Sequence, residues 1–127
     1  MTGEAFSKEF RRFVRENIGS VEQVRVLVLL ADDPERHWDT GALNAELGTS
    51  THSIDLRLNV LLRRRLVVTI EEGKFKYRSD PEHDELVREL RDQFVERPVS
   101  VITLIYSSSL ASFSDAFRIG GTDQEDG

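Results

Sequence analysis

The sequence predicts a mainly α fold that carries one small β-hairpin, with extra helices before and after its central part. Three observations predict it. Apolar residues recur at helical spacing in several separate segments. Ser, Asp and Gly caps and the Asp-Pro dipeptides punctuate those segments as helix starts and stops. One stretch only, residues 66–77, alternates as a strand pair would. At 127 residues the chain is expected to form one domain with a core that needs no metal or disulfide. It contains no cysteine, which excludes disulfides and thiol chemistry.

The elements follow in order. Phe6, Phe10, Phe13, Val14 and Ile18 form one stripe of a first helix, expected from about Glu4 to Asn17, with Lys8, Arg11, Arg12 and Arg15 on its other side. That basic side reads as a solvated face, or as a dimer arm or DNA-backbone contact. Gly19 ends this helix and Ser20 caps the next. Val21, Val24, Leu27, Val28 and Leu30 are apolar nearly all round, which predicts a central helix stopped by Asp32-Asp33-Pro34. Trp38 plugs the approach to a short helix at Thr40–Leu47, capped by Asp39 or Thr40, with Leu43 and Leu47 inward. Leu66, Val68 and Ile70 then alternate as a strand with one buried face, Glu72-Gly73 turns, and Phe75 and Tyr77 return. Asp80-Pro81 reads as a helix start. Leu86, Val87, Leu90, Phe94 and Val95 form the apolar stripe of that helix, which runs to about Glu96. The segment from Pro98, VSVITLIY, suits a helix better than a strand, because a lone strand there lacks a partner. Ser107-Ser108-Ser109 breaks it, and Leu110, Phe113 and Phe117 mark a last short helix. The polar, acidic tail 120–127 is expected to be disordered.

The stretch Leu47 to Val67, LGTSTHSIDLRLNVLLRRRLV, organises the rest. Leu47-Gly48 closes one helix, Ser50 caps another, and Ile54, Leu58, Leu61 and Leu62 recur at helical spacing toward a core. This pattern resembles winged helix-turn-helix proteins: L-G-x-S, an aliphatic residue four positions on, Leu four and seven later, then Gly-Leu-Val. The one departure is Arg65, which stands where the pattern has Gly. A non-glycine residue costs on the order of 1 kcal/mol in the left-handed conformation expected there, so a differently shaped helix end is an alternative. The segment RPVSVITLIYS with FSDAFR also resembles the C-terminal part of short bacterial winged-helix proteins without an assigned activity. The resemblance implies a winged helix-turn-helix with extra N- and C-terminal helices. Its parts are an N-terminal helix (1–19), the core (20–79), C-terminal helices suited to dimerisation (80–119) and the tail.

A winged helix of this kind implies a DNA-binding transcriptional regulator that reads DNA with its third helix and wing. With Ile54, Leu58, Leu61 and Arg65 inward, the outward side is His52, Leu56, Asn59 and Arg63, flanked by Val60. Asn59 suits adenine, Arg63 guanine or phosphate, and Leu56 a thymine methyl. Thr49, Thr51 and Ser53 suit phosphate oxygens, as do Arg57, Arg64 and the wing residues Lys74 and Lys76. Arg63, Arg64 and Arg65 also favour a helix C-terminus by charge alone. Against DNA stand the aliphatic Leu56 and Val60 and the acid Asp55. The alternative is a protein–protein interaction module that docks another regulator or the transcription apparatus through the same helix. A third possibility is an inherited fold whose helix does neither.

The net charge of −6 argues against a general nucleic-acid binder. Residues 1–37 carry six basic and seven acidic side chains, residues 38–79 seven and five, and residues 80–127 four and eleven. The only positive third holds the proposed reading helix and hairpin. His37, His52 and His83 are too far apart for a metal site and read as surface residues. There is no phosphate loop, and Ser50-Thr51-His52 is not a nucleophile pair, because adjacent helical residues do not face one another. No enzyme and no cofactor is expected. The start MTGEAFSKEF lacks a signal-peptide core and no apolar run spans a membrane, so a cytoplasmic protein is expected. The apolar excess of VSVITLIY, with Phe113 and Phe117, predicts a two-fold homodimer.

Overall fold

A computed structural model describes residues 6–107 of the chain. Four helices begin at caps that the sequence carries. Ser7 Oγ accepts the Phe10 N–H (3.0 Å), Ser20 Oγ that of Gln23 (3.1 Å), Asp39 Oδ1 that of Ala42 (2.7 Å) and Ser50 Oγ that of Ser53 (3.1 Å). These bonds satisfy orphan donors of the first turns and fix the starts of α1 (Lys8–Asn17), α2 (Val21–Asp32), α3 (Thr40–Leu47) and α4 (Thr51–Arg63). The first helix therefore begins at Lys8 and not near Glu4, because Ser7 is the cap. Gly48 ends α3 at φ +71°, a conformation that glycine adopts without strain.

Helix α2 is central, as its all-round apolar pattern predicts. Val24, Val26, Leu27 and Leu30 are fully buried, and the helix packs on α3, α4 and the elements that follow. Phe10, Phe13 and Val14 bring α1 onto this core, and Leu43 brings α3. Ile54, Leu58 and Leu61 bury one side of α4, while Leu62 is half-buried. Arg65 does not belong to that inward side. It lies beyond the helix, exposed, at φ +63°. Its N–H donates to Leu62 O (3.1 Å), and the Leu66 N–H reaches back to Leu61 O (3.0 Å). These two bonds are the Schellman pattern, and the two residues whose apolar side chains usually accompany it, Leu61 and Leu66, are both buried. The helix end thus keeps the left-handed shape that the pattern's glycine would favour.

Strands β1 (Val67–Glu71) and β2 (Lys74–Tyr77) form an antiparallel hairpin, turning at Gly73 (φ +77°). The expected inward face of β1 is one residue out of phase. Leu66 is buried before the strand begins, Val67 is buried opposite Tyr77, Val68 is half-buried and Ile70 is 40% exposed. Two causes act together. The left-handed residue at 65 re-aims the strand, and a register shift between Thr69 and Glu71 leaves Ile70 without a partner, out where the hairpin leaves the core. Trp38, 2% exposed, exchanges backbone hydrogen bonds with Phe75 (2.8 and 2.7 Å). That bridge adds a single-residue third line to the hairpin and ties it to the segment before α3.

Helix α5 (Asp84–Glu96) starts three residues beyond Pro81. Residues 81–83 form a turn first, in which the N–H groups of His83 and Asp84 both donate to Asp80 O. Asp84 then gathers the hydroxyls of Tyr77 (2.6 Å) and Ser79 (2.8 Å) and the Asp80 N–H (3.0 Å). Burial pushes the Asp84 carboxyl pKa up, but these donors outweigh it and leave it below the ordinary value. The same contact, after burial itself, raises the Tyr77 phenol. Val87 and Leu90 bury the helix and Leu86 and Phe94 are half-buried, but Val95 is 76% exposed, off the expected stripe. The ambiguous segment is helical: α6 occupies residues 98–107, with Val101 and Ile105 buried. Among the described residues the fold is therefore six helices and one two-stranded antiparallel sheet. No helix among them is long and apolar enough to cross a membrane. The expected last helix and acidic tail lie outside the described residues.

Candidate nucleic-acid interface

Helix α4 presents three distinct lines of side chains. Ile54, Leu58 and Leu61 form the buried one. Opposite them lie His52, Leu56, Asn59 and Arg63, with Asp55 at the edge of that side, all exposed; Thr51 is exposed in the first turn, nearer the buried line. Leu56 is 45% exposed, which bears out the helical register read from the sequence. His52, Asn59 and Arg63 make no side-chain hydrogen bond among the described residues, so their donors and acceptors point to solvent. An amide and a guanidinium four residues apart on one exposed helix face can bond the edges of bases or polar groups of a protein.

Between these two lines runs a third, formed by Ser53, Arg57, Val60 and Arg64. Here the structure places an acid that the sequence reading missed. Glu22, in the first turn of α2, accepts the hydroxyls of Thr49 (2.7 Å) and Ser53 (2.5 Å) and the Arg57 Nε–H (2.9 Å). Its side chain is only 16% exposed. Burial raises the Glu22 pKa, and the bonds from Ser53, Thr49 and Arg57 more than reverse that, leaving it below the ordinary 4.5. Three expected phosphate contacts, Thr49, Ser53 and Arg57, are thus already gathered on an internal carboxylate. Only proximity in three dimensions reveals this, because Glu22 stands 27, 31 and 35 residues before its partners.

One of the two hairpin cations is balanced in a similar way. Lys76 pairs with Glu35 (3.0 Å), whereas Lys74, in register with Glu71, makes no ion pair among the described residues. Both lysines are half-buried. Arg63, Arg64 and Arg65 make no ion pair among the described residues. Among the described residues uncompensated positive charge is therefore densest at the C-terminal end of α4, where three such arginines are consecutive, while the hairpin adds Lys74 alone.

A second missed residue is Gln23, which is 2% exposed. Its amide donates to Asn17 O and accepts the Gly19 N–H (2.8 Å), locking the turn from α1 to α2. Ser20 followed three residues later by Gln is the capping-box spacing, so this signal was available in the sequence. The lock fixes the end of α1 across a cleft from α4. Arg15, Arg57, Val60 and Arg64 line one cleft there, of about 250 Å³. His37 and His52 are exposed, whereas His83 is half-buried, with its ring 5.7 Å from that of Phe13. No group of metal-ligating side chains gathers among the described residues. No family model, no curated protein and no solved structure matches this chain.

Proposed function

We propose that this chain is a winged helix-turn-helix protein that binds double-stranded DNA and acts as a transcriptional regulator. In this reading α2, α3 and α4 are its three core helices, α4 enters the major groove, and the hairpin is the wing. The left-handed turn at Gly48 between α3 and α4, the Schellman end at Arg65 and the Trp38–Phe75 bridge support the fold assignment. The observation that carries the function is the outward side of α4. His52, Asn59 and Arg63 stand exposed without intramolecular partners, beside the uncompensated Arg64. In this reading Asn59 bonds adenine and Arg63 guanine or phosphate. Affinity comes from few charges, so binding is steeply salt-dependent and non-specific binding is weak.

The test is a titration of the protein against genomic duplex fragments, beginning with its own promoter. Asn59→Ala relaxes preference at one base pair, at a cost of ~1–3 kcal/mol. A second reading, docking of a protein partner, is favoured by two observations: Leu56 and Ile70 are exposed, and Glu22 already holds Thr49, Ser53 and Arg57. If no fragment binds even at low salt, while Leu56→Asp abolishes a pull-down from lysate, docking replaces DNA reading. In either reading the chain works as a two-fold dimer, with Val95, Val99 and Tyr106 of α5 and α6 as the exposed apolar groups at its interface.

A further inference from the structure

We propose that the cleft between the end of α1, the start of α2 and the flank of α4 is a phosphodiester site, in which Arg15 of α1 grips the DNA backbone beside the groove that α4 reads. The inference rests on the DNA reading and adds to it a contact from outside the helix-turn-helix.

Several observations converge on this cleft. Its lining includes three arginines from two helices, Arg15, Arg57 and Arg64, against one acid, Glu16. Glu16 is engaged elsewhere, as the acceptor of Arg12 Nε–H at 3.2 Å. Arg15 and Arg64 make no ion pair among the described residues. Arg57 spends its Nε–H on Glu22, and its two terminal nitrogens make no hydrogen bond among the described residues. Ser20, the cap of α2, lies in the same lining and adds a hydroxyl beside the arginines.

Position and rigidity fit a backbone contact. Successive residues on a helix are ~100° apart, so the Arg57 and Arg64 line lies one step round from the exposed Leu56 and Arg63 line. A helix lying in the major groove has phosphates along its flanks, and this flank holds the cations. The opposite end of the cleft is not free to drift. Buried Phe13, Val14 and Ile18 anchor α1 around Arg15, and buried Gln23 locks the turn into α2. Arg15 is therefore held on a fixed platform, as a group that sets docking register should be. A cleft of about 250 Å³ has room for a phosphate group.

The test uses the full chain and a duplex of its own promoter, with affinity measured across a salt series. Arg15→Ala and Arg64→Ala are each expected to lower the log–log salt slope by about 0.9 and to weaken all sequences alike. Glu16→Gln is expected to tighten binding. Arg88→Ala, in the pocket at the far end of α2, leaves the slope unchanged and serves as the control. Circular dichroism verifies that each variant is folded. Wild-type binding with an unchanged slope in Arg15→Ala overturns the α1 contact and leaves the DNA reading standing. Failure of the wild type to bind any duplex at the lowest salt overturns both.

Discussion

Glu22 is the residue whose removal tells most about how α4 is held. Its carboxylate joins the first turn of α2 to Thr49 in the turn before α4 and to Ser53 and Arg57 on α4 itself. Glu22→Ala removes three hydrogen bonds. The Ser53 bond, part-buried, contributes ~1 kcal/mol, and the exposed Thr49 bond about half of that. The Arg57 pair, two-thirds buried on the arginine side, adds roughly 0.5–1 kcal/mol after discounting for solvent. An acid in the first turn of a helix adds ~0.3–0.5 kcal/mol more. The expected loss is about 2–3 kcal/mol, or a fall in melting temperature of roughly 6–12 °C. Urea melts of wild type, Glu22→Ala, Ser53→Ala and the double variant measure it, with a Glu22–Ser53 coupling near 1 kcal/mol. The pH dependence provides a second check. The folded carboxyl titrates below its ordinary 4.5, so its contribution is fully present above that pH and is lost as pH falls through the lower folded value. The stability gap between wild type and Glu22→Gln should accordingly close in acid. A Glu22→Ala protein within ~0.5 kcal/mol of wild type, or a gap unchanged at about pH 3, would refute the clamp. The substitution has a functional side too: Glu22→Gln leaves the geometry but releases the charge of Arg57, and is expected to tighten any DNA binding.

Three other outcomes are expected. Leu61 is fully buried and Leu56 is not, so Leu61→Ala costs ~2–5 kcal/mol and Leu56→Ala under about 1, as read in denaturant melts; the reverse order would show the helical register to be wrong. Arg65→Gly relieves a left-handed non-glycine residue whose hydrogen-bond pattern glycine suits, and should raise stability by about 1 kcal/mol; a loss of stability would mean that the Arg65 side chain supports the fold. Sedimentation at micromolar concentration should give twice the 14.5 kDa chain mass, and Val99→Asp should shift it toward one; a wild type that stays at 14.5 kDa throughout that range removes the dimer.

Much of the fold was legible because it is decided locally. Each cap residue competes for N–H groups within its own first turn, so Ser20, Asp39 and Ser50 mark helix starts whatever surrounds them. The buried and exposed lines of α4 follow from helical periodicity, and Ile54, Leu58, Leu61 and Leu56 fall as that period requires. The helix at 98–107 followed from a similar consideration, that a single strand has nothing to pair with. Hairpin phase was not legible, since it depends on the left-handed residue at 65 and on a register shift beyond Thr69, and a one-residue slip inverts every side chain. Asp80-Pro81 looked like a helix start because both residues suit one, but the turn there is held by Tyr77 and Ser79 reaching Asp84 from the strand side. Tertiary structure alone decided which polar side chains of the candidate site remain available. A sequence shows that Thr49, Ser53 and Arg57 are donors; it does not show that the packing of α2 against α4 has set Glu22 among them. The packing of α1 and α4 around α2 likewise left Arg15, Arg57 and Arg64 lining one cleft, since charge is fixed by residue type whereas its compensation is fixed by distance.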